Sequence, residues 1–403
     1  MARVVITGMG CITAMGKDVG SFRENLFAGR SGIRTMPEPR AGLHFTRAAT
    51  VEDFRPEEWL LSAQRAIADR SSAFAIAAAR EAAEQSGIVK AHAAETIAVV
   101  FGCSAGGRLS EEQEAMKLYT RDARVHPLTV PRTMANAGTS MAAMEHGLTG
   151  PSLTLSTACA SAGHAIGLAF QMVRAGSVRA ALAGGHEAPL SLAFLRAWDS
   201  LKVVSPTACR PFARDRDGMT LGEGAAVLAL ESLEAAQARG AEILGEIAGF
   251  GMTSDAHHMT QPDPAGPAAA MRRALEDAGA TSDEVGYINA HGTGTDANDR
   301  AEAEAVYRVF GERARTLPIS STKGLHGHAI GASGAIELLA TVLALREGVL
   351  PANGCLAEGG VFEPDPALGL GGLVRVNEAS RPGLALSNSF AFGGMNAVLA
   401  LRG

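Results

Sequence analysis

A chain of 403 residues that is 47% hydrophobic and 19% charged is long enough for two halves or domains and can bury a large core. Its 36 Lys+Arg against 42 Asp+Glu leave a net charge of −6, which argues against nucleic-acid binding, and no basic cluster suits a membrane surface. No apolar run approaches the roughly eighteen residues that cross a bilayer, and five scattered cysteines (11, 103, 159, 209, 355) without a CxxC pair indicate neither a disulfide frame nor a zinc site.

In chain order, "MARVVITGMG" reads as a strand and a glycine turn without a signal-peptide layout, so a cytoplasmic location is expected. A helix is predicted over 71–86, then strands at "TIAVVFG", "PSLTL", "ALAGGHE" and "AAVLALES". A new strand, "EILGEIAGFG", follows a helix-like stretch and sets the boundary between halves, 1–240 and 241–403. Next come a helix over 266–279, strands "VGYINAHG" and "TLPISS", a helix over 335–347, an irregular Pro/Gly-rich excursion over 351–372, a glycine-rich turn in "SNSFAFGGMNAVL", and a last strand, "NAVLALRG". Alternating strands and helices predict a layered α/β fold.

Two segments resemble each other. "SLTLSTACASAGHAIGLAFQMVRAG" and "LPISSTKGLHGHAIGASGAIELLATVLALREG" both run strand, Ser/Thr turn, small residues, "HAIG", apolar helix. Duplication is expected, with a small-residue helix N-terminus from each half at the centre.

Cys159 lies at one of these strand-to-helix junctions. Exposed N–H groups and the helix dipole there stabilise a thiolate and lower a thiol pKa. The alternative is an inert buried cysteine. Two histidines at other strand-to-helix turns, His291 in "INAHGTGTD" and His328 in "STKGLHGHAIGASG", favour nucleophilic catalysis. "DAHHMT" has no metal-ligand spacing, and neither "GCSAGG" nor "GFGMTS" completes a GxGxxG dinucleotide motif.

With these motifs in this order, together with "VVITGMGCITAMG", "RPFARDRDGMTLGEGAAVLALE" and "NSFAFGG", nearly the whole chain resembles the elongating β-ketoacyl-acyl carrier protein synthases, relatives of the type II polyketide ketosynthases. The resemblance implies an α/β thiolase-like fold: two duplicated βαβαβαββ halves in five layers, α-β-α-β-α. It implies a decarboxylative condensation of an acyl thioester with malonyl-carrier protein, without metal or organic cofactor. Cys159 would be the acyl-accepting nucleophile. His291 and His328 would serve decarboxylation. Lys323 and Glu337 would lie behind them, and the N–H groups of Cys159 and Phe392 would form an oxyanion hole. Phe390 would gate the cysteine, and Thr293 and Thr295 would contact the phosphopantetheine arm. Ala105 would line the acyl pocket, while Arg65, Arg70, Arg124 and Lys202 would meet the acidic carrier protein. A homodimer is expected, or a heterodimer with a chain-length-factor-like homologue. His326 and Met395 replace the family's usual threonines. A thiolase would carry a second cysteine in the last glycine turn, an initiating ketosynthase would have Asn at 328, and a chain-length factor would lack Cys159.

Overall fold

The computed structural model describes residues 2–36, 42–354 and 362–403, so Cys355 and part of the predicted 351–372 excursion lie outside the described residues. The strands of the main sheet are β1 (Val4–Thr13), β2 (Ile97–Gly102), β3 (Ser152–Leu155), β4 (Ala180–Glu187), β5 (Gly224–Ser232), β6 (Gly245–Ser254), β7 (Val285–Asn289), β8 (Ile319–Ser320), β9 (Leu384–Ala391) and β10 (Met395–Arg402). The sheet runs in the order β8-β7-β9-β10-β6-β1-β5-β4-β2-β3. The first five strands follow the order 3-2-4-5-1 within their half, and the last five repeat it. The hand of pairing repeats as well: β2 is parallel to β3 and β4, β7 to β8 and β9, while β1–β5 and β4–β5 are antiparallel, as are β6–β10 and β9–β10. The halves join through the antiparallel pairs Val4–Ile247, Val5–Glu246 and Ile6–Gly245.

The helices that matter for the site are α1 (Arg70–Ser86), α2 (Ala137–His146), α3 (Ser161–Arg174), α4 (Ala265–Asp277), α5 (Asp296–Phe310) and α6 (Ser333–Glu347). Helix α1 covers the outer face of the first half with α2 beside it; α4, with α5 against it, covers the second. Helices α3 and α6 touch each other and strands of both halves. Three core clusters correspond to these interfaces, the largest around α3 and α6. The result is the α-β-α-β-α thiolase arrangement.

Paired glycines let each outer helix approach its sheet. A Cβ on Gly8 or Gly10 of β1 would stand 2.4 or 2.1 Å from the carbonyl oxygens of Ala82 and Ala78 on α1. The equivalents on β6 are Gly249 and Gly251, at 2.3 and 2.1 Å from Ala274 and Ala270 of α4. These G-x-G pairs therefore serve backbone packing.

Two sequence expectations change. The "HAIG" strings are out of structural register: α3 starts three residues before His164, whereas α6 starts five residues after His328. The second half inserts two short helical turns, Lys323–His326 and Ile330–Ala332, between β8 and α6. The duplication is thus one of topology, and the matched strings are not equivalent positions. The predicted turn at "SNSFAFGG" is mostly strand, with β9 running to Ala391.

Candidate active site

Cys159 sits in the turn from β3 to α3. Ala158 before it adopts φ +48°, a left-handed conformation rare outside glycine. Ser161 holds the turn, donating its hydroxyl to the Ala158 carbonyl (2.6 Å) and accepting the Thr157 N–H (2.9 Å). Cys159 retains only 6% exposure, and its sulfur lies 3.1 Å from Nε2 of His328.

His328 is fixed by its backbone. Its N–H donates to Thr220 (2.7 Å), and its carbonyl accepts from Gly222 (2.9 Å). Its Nδ1 meets the Ser333 hydroxyl at 2.7 Å, a partner that serves either tautomer because it donates or accepts. His291 follows β7. Glu302 of α5 accepts its N–H (2.8 Å) and that of Gly292 (2.7 Å), and Asp299 accepts those of Thr293 (3.1 Å) and Gly294 (3.2 Å). The two imidazole rings stand 5.5 Å apart at 83°.

Lys323, fully buried, pairs with Glu337 of α6 and donates to the His291 carbonyl at 2.5 Å. Its Nζ is 3.2 Å from Nδ1 of His291. An ammonium only donates, so Nδ1 accepts and the ring hydrogen rests on Nε2, free to donate. Burial, then the Lys323 charge, hold both His291 and His328 well below the usual imidazole range, so both are neutral at physiological pH. Burial lifts the Glu337 carboxyl to about 7 against the pull of Lys323.

The thiol runs against expectation. Burial pushes Cys159 up to about 12, opposed by Lys323 and reinforced by Glu337 and Glu187. Desolvation is the largest influence, exceeding the pull of the Lys323 charge and of the Cys159 backbone N–H. The resting pair is therefore a neutral thiol beside a neutral imidazole, and His328 is placed to take the proton.

A cleft of about 440 Å³ leads from Cys159, His291 and His328 to the surface. Thr293 and Thr295 line it, with their hydroxyls 2.9 Å apart. Phe390 packs inside against the His291 ring, at 5.9 Å. Phe392, 36% exposed, stands at the rim and stacks on Trp198, so of the two it is the aromatic at the mouth. Exposed Lys202 also lines the mouth, while Arg65 and Arg124 lie on the surface. Arg70 is held elsewhere: it clasps Glu223 at 2.7 and 2.8 Å, donates to the Val51 carbonyl and covers the Phe74 ring. Ala105 is absent from the cleft and donates its N–H to Glu187 at 3.1 Å. Met395 opens β10 with an exposed side chain.

His326 is locked. Its Nδ1 faces the Gly327 carbonyl (2.7 Å) and must donate, so Nε2 accepts from Thr322 (2.9 Å). Burial and Lys323 lower it to about 3. A His326→Thr variant is expected to keep the wild-type pH–rate profile between pH 5 and 8. A new or lost limb in that window would show that His326 titrates there.

Sequence reasoning missed Asp299, Glu302 and Ser333. The two carboxylates sit three apart in the first two turns of α5, after a Gly/Thr loop that needs N–H acceptors; that spacing was the available signal.

The beta-ketoacyl synthase N-terminal domain family matches residues 1–236, and the beta-ketoacyl synthase C-terminal domain family matches residues 244–356. "Nodulation protein E" of a Rhizobium species is 42% identical over 403 residues, covering 99% of both chains. The "3-oxoacyl-[acyl-carrier-protein] synthase 2" of a Synechocystis species is 38% identical over 411 residues, covering 99% of this chain and 98% of that protein. Among solved structures, the ishigamide ketosynthase/chain length factor superposes with a TM-score of 0.93 at 32% identity, covering 100% of this chain and 99% of that one. The chain belongs to the β-ketoacyl synthases, condensing enzymes closely related to the type II polyketide ketosynthases, and its chemistry is Claisen-type condensation by acyl transfer.

Proposed function

We propose that this chain elongates an acyl chain by decarboxylative condensation with malonyl-acyl carrier protein, giving a 3-oxoacyl-carrier protein in fatty-acid, polyketide or polyene assembly. The observation that carries this reading is the Cys159 sulfur 3.1 Å from His328 Nε2, with the His291 ring 5.5 Å beyond. In the first half-reaction His328 takes the thiol proton as sulfur attacks the acyl thioester carbonyl. The carrier C–S bond breaks, and the departing thiolate recovers the proton. In the second, the malonyl carboxylate leaves as CO₂ and its bond pair forms an enolate. His291 Nε2–H donates to the enolate oxygen; His328, having returned its captured proton to the departing thiolate, donates there only in the tautomer with its hydrogen on Nε2, in which the Ser333 hydroxyl donates to Nδ1. The carbanion attacks the acyl group on Cys159, whose tetrahedral oxyanion faces the Cys159 and Phe392 N–H groups, and the thiolate leaves. Thr293 and Thr295 hold the pantetheine arm in the cleft. Lys202, Arg65 and Arg124 form the carrier-protein contact; Arg70, engaged with Glu223, is left out of that set. We assign 1–240 to the nucleophile half and 241–403 to the histidine half.

The test is intact mass of the enzyme after an acyl-carrier thioester, with CO₂ release from malonyl-carrier protein. An acyl adduct mapped to Cys159 supports the reading, and an adduct elsewhere overturns it.

Partner choice rests on the sheet edge. Among the described residues β3 ends the sheet with one side unpaired, Leu153 is 43% exposed, and Met144 of the neighbouring α2 is 70% exposed. A second copy pairing there closes the edge. A chain-length-factor-like homologue does the same, in keeping with the name of the ishigamide relative. Sedimentation at micromolar concentration is expected to give a dimer, and Leu153→Asp a monomer. A fully active wild-type monomer would reject this assembly. Among the described residues no helix is long and apolar enough to cross a membrane; we place the enzyme in the cytoplasm.

A further inference from the structure

Glu187, at the end of β4, is fully buried, and among the described residues it has no ion-pair partner. An isolated buried carboxylate is costly and persists where its oxygens are well satisfied. Its oxygens accept from Ser104 N–H (2.8 Å), Ala105 N–H (3.1 Å), Gly331 N–H (3.2 Å) and the Cys103 thiol (3.5 Å). Burial lifts its carboxyl to about 7, opposed by the Ser104 and Ala105 N–H groups.

These donors come from both halves. Residues 103–105 follow β2, and Gly331 precedes α6. The junction has no slack: a Cβ on Gly331 would stand 2.6 Å from the Glu187 carboxylate and 2.8 Å from the Ser104 nitrogen. Ile330, just before Gly331, adopts φ +42°, a conformation a β-branched residue holds only when its surroundings impose it. Ile330 is buried in the apolar cluster that contains Cys159, with Leu190, Leu195, Trp198 and Met219. None of Ser104, Ala105, Ile330 and Gly331 lines the cleft through which Thr293 and Thr295 open to solvent. The clamp therefore stands off the open cleft, and through Ile330 it borders the apolar cluster that holds Cys159.

We propose that Glu187 is a positioning residue for acyl-chain selection: by binding the 103–105 turn to Gly331 it holds Ile330 as the inner wall of the space that an acyl group on Cys159 enters. The proposal rests on the condensing reaction above. A clamp of this kind acts on long acyl groups that reach the wall. It acts far less on acetyl, or on the malonyl side, where His291 works.

The test uses Glu187→Gln, which keeps the size but replaces one accepting oxygen by a donor facing backbone N–H groups. Acyl-enzyme formation is followed by intact mass with acetyl-, hexanoyl- and dodecanoyl-pantetheine thioesters, and CO₂ release with malonyl-pantetheine. The expected result is a change of at least roughly tenfold in the ratio of the longest accepted acyl group to acetyl, the scale of a lost charge-assisted hydrogen bond. Gly331→Ala, which wedges the same contact from the other side, is expected to move the ratio too, and it carries the comparison if Glu187→Gln does not fold. An unchanged ratio in the folded variants overturns the proposal, as does an equal loss with every acyl group. A wild-type enzyme that forms no acyl adduct with any thioester refutes the reaction itself, which is a different outcome from an active enzyme with unmoved selectivity.

Discussion

Cys159→Ala is expected to abolish acyl-enzyme formation and condensation together, because the acyl group then has no sulfur to occupy. The two histidines should separate. His291→Ala removes one donor from the enolate oxygen, and CO₂ release should fall by about 10²–10³, or roughly 3–4 kcal/mol. The sulfur's imidazole partner is His328, so acylation of Cys159 should persist. His328→Ala should damage both steps, since Nε2 is 3.1 Å from a thiol that burial holds near 12. Without that base, few molecules present a thiolate at neutral pH. The assays are mass of the acyl-enzyme and release of CO₂ on the three variants. Normal acylation in His328→Ala would show that the thiol ionises without it.

Lys323→Met should be the most destabilising single change at the site. It leaves the Glu337 carboxylate buried without its partner, a loss of about 3–5 kcal/mol in comparable pairs. The sign with pH follows from Glu337. Its folded value is already raised to about 7, above 4.5 for an ordinary glutamate. Such a group favours folding fully only below its unfolded value, and that advantage is lost as pH rises through the folded one. Removing Lys323 raises the folded value further, so the deficit should be small near pH 4.5 and grow beyond pH 7. Lys323→Met/Glu337→Leu should recover most of the stability because no charge remains buried. It should not recover decarboxylation, since Nδ1 of His291 has lost the donor that keeps the hydrogen on Nε2. Thermal melts across pH, paired with CO₂ release, check both. Activity returning with stability would limit Lys323 to packing.

The long buried strands β1, β2, β4, β5 and β10 were legible because short, mostly apolar runs with glycine within or beside them have few other readings. So were α1, α4 and α6, through alanine- and leucine-rich periodicity. Helix α5 was not among the predicted helices, because its first two turns, "DANDRAE", are polar and carry no apolar stripe; Asp299 and Glu302 there are buried acceptors for the 291–294 turn. β9 was hidden by polar letters: Ser387, Asn388 and Ser389 are buried, and Asn388 donates to Glu302. The spatial grouping of Cys159, His291, His328 and Lys323 was legible through a whole-chain resemblance. The state of the thiol was not, since helix-terminus reasoning carries no information on how completely a turn is sealed. The role of Arg70 depended on a contact with Glu223, 153 residues away.

Helix α6 has a consequence for how the molecule comes apart. Every residue from Ser333 to Leu345 is buried, so this helix has no face suited to water. It touches β4 and β5 of the first half as well as β9 of its own. Neither half can therefore melt while the other survives without stripping that helix bare. Although 403 residues invite two calorimetric steps, heat should open this chain in one. Proteolysis between β5 and β6 should leave two fragments that travel together until both unfold.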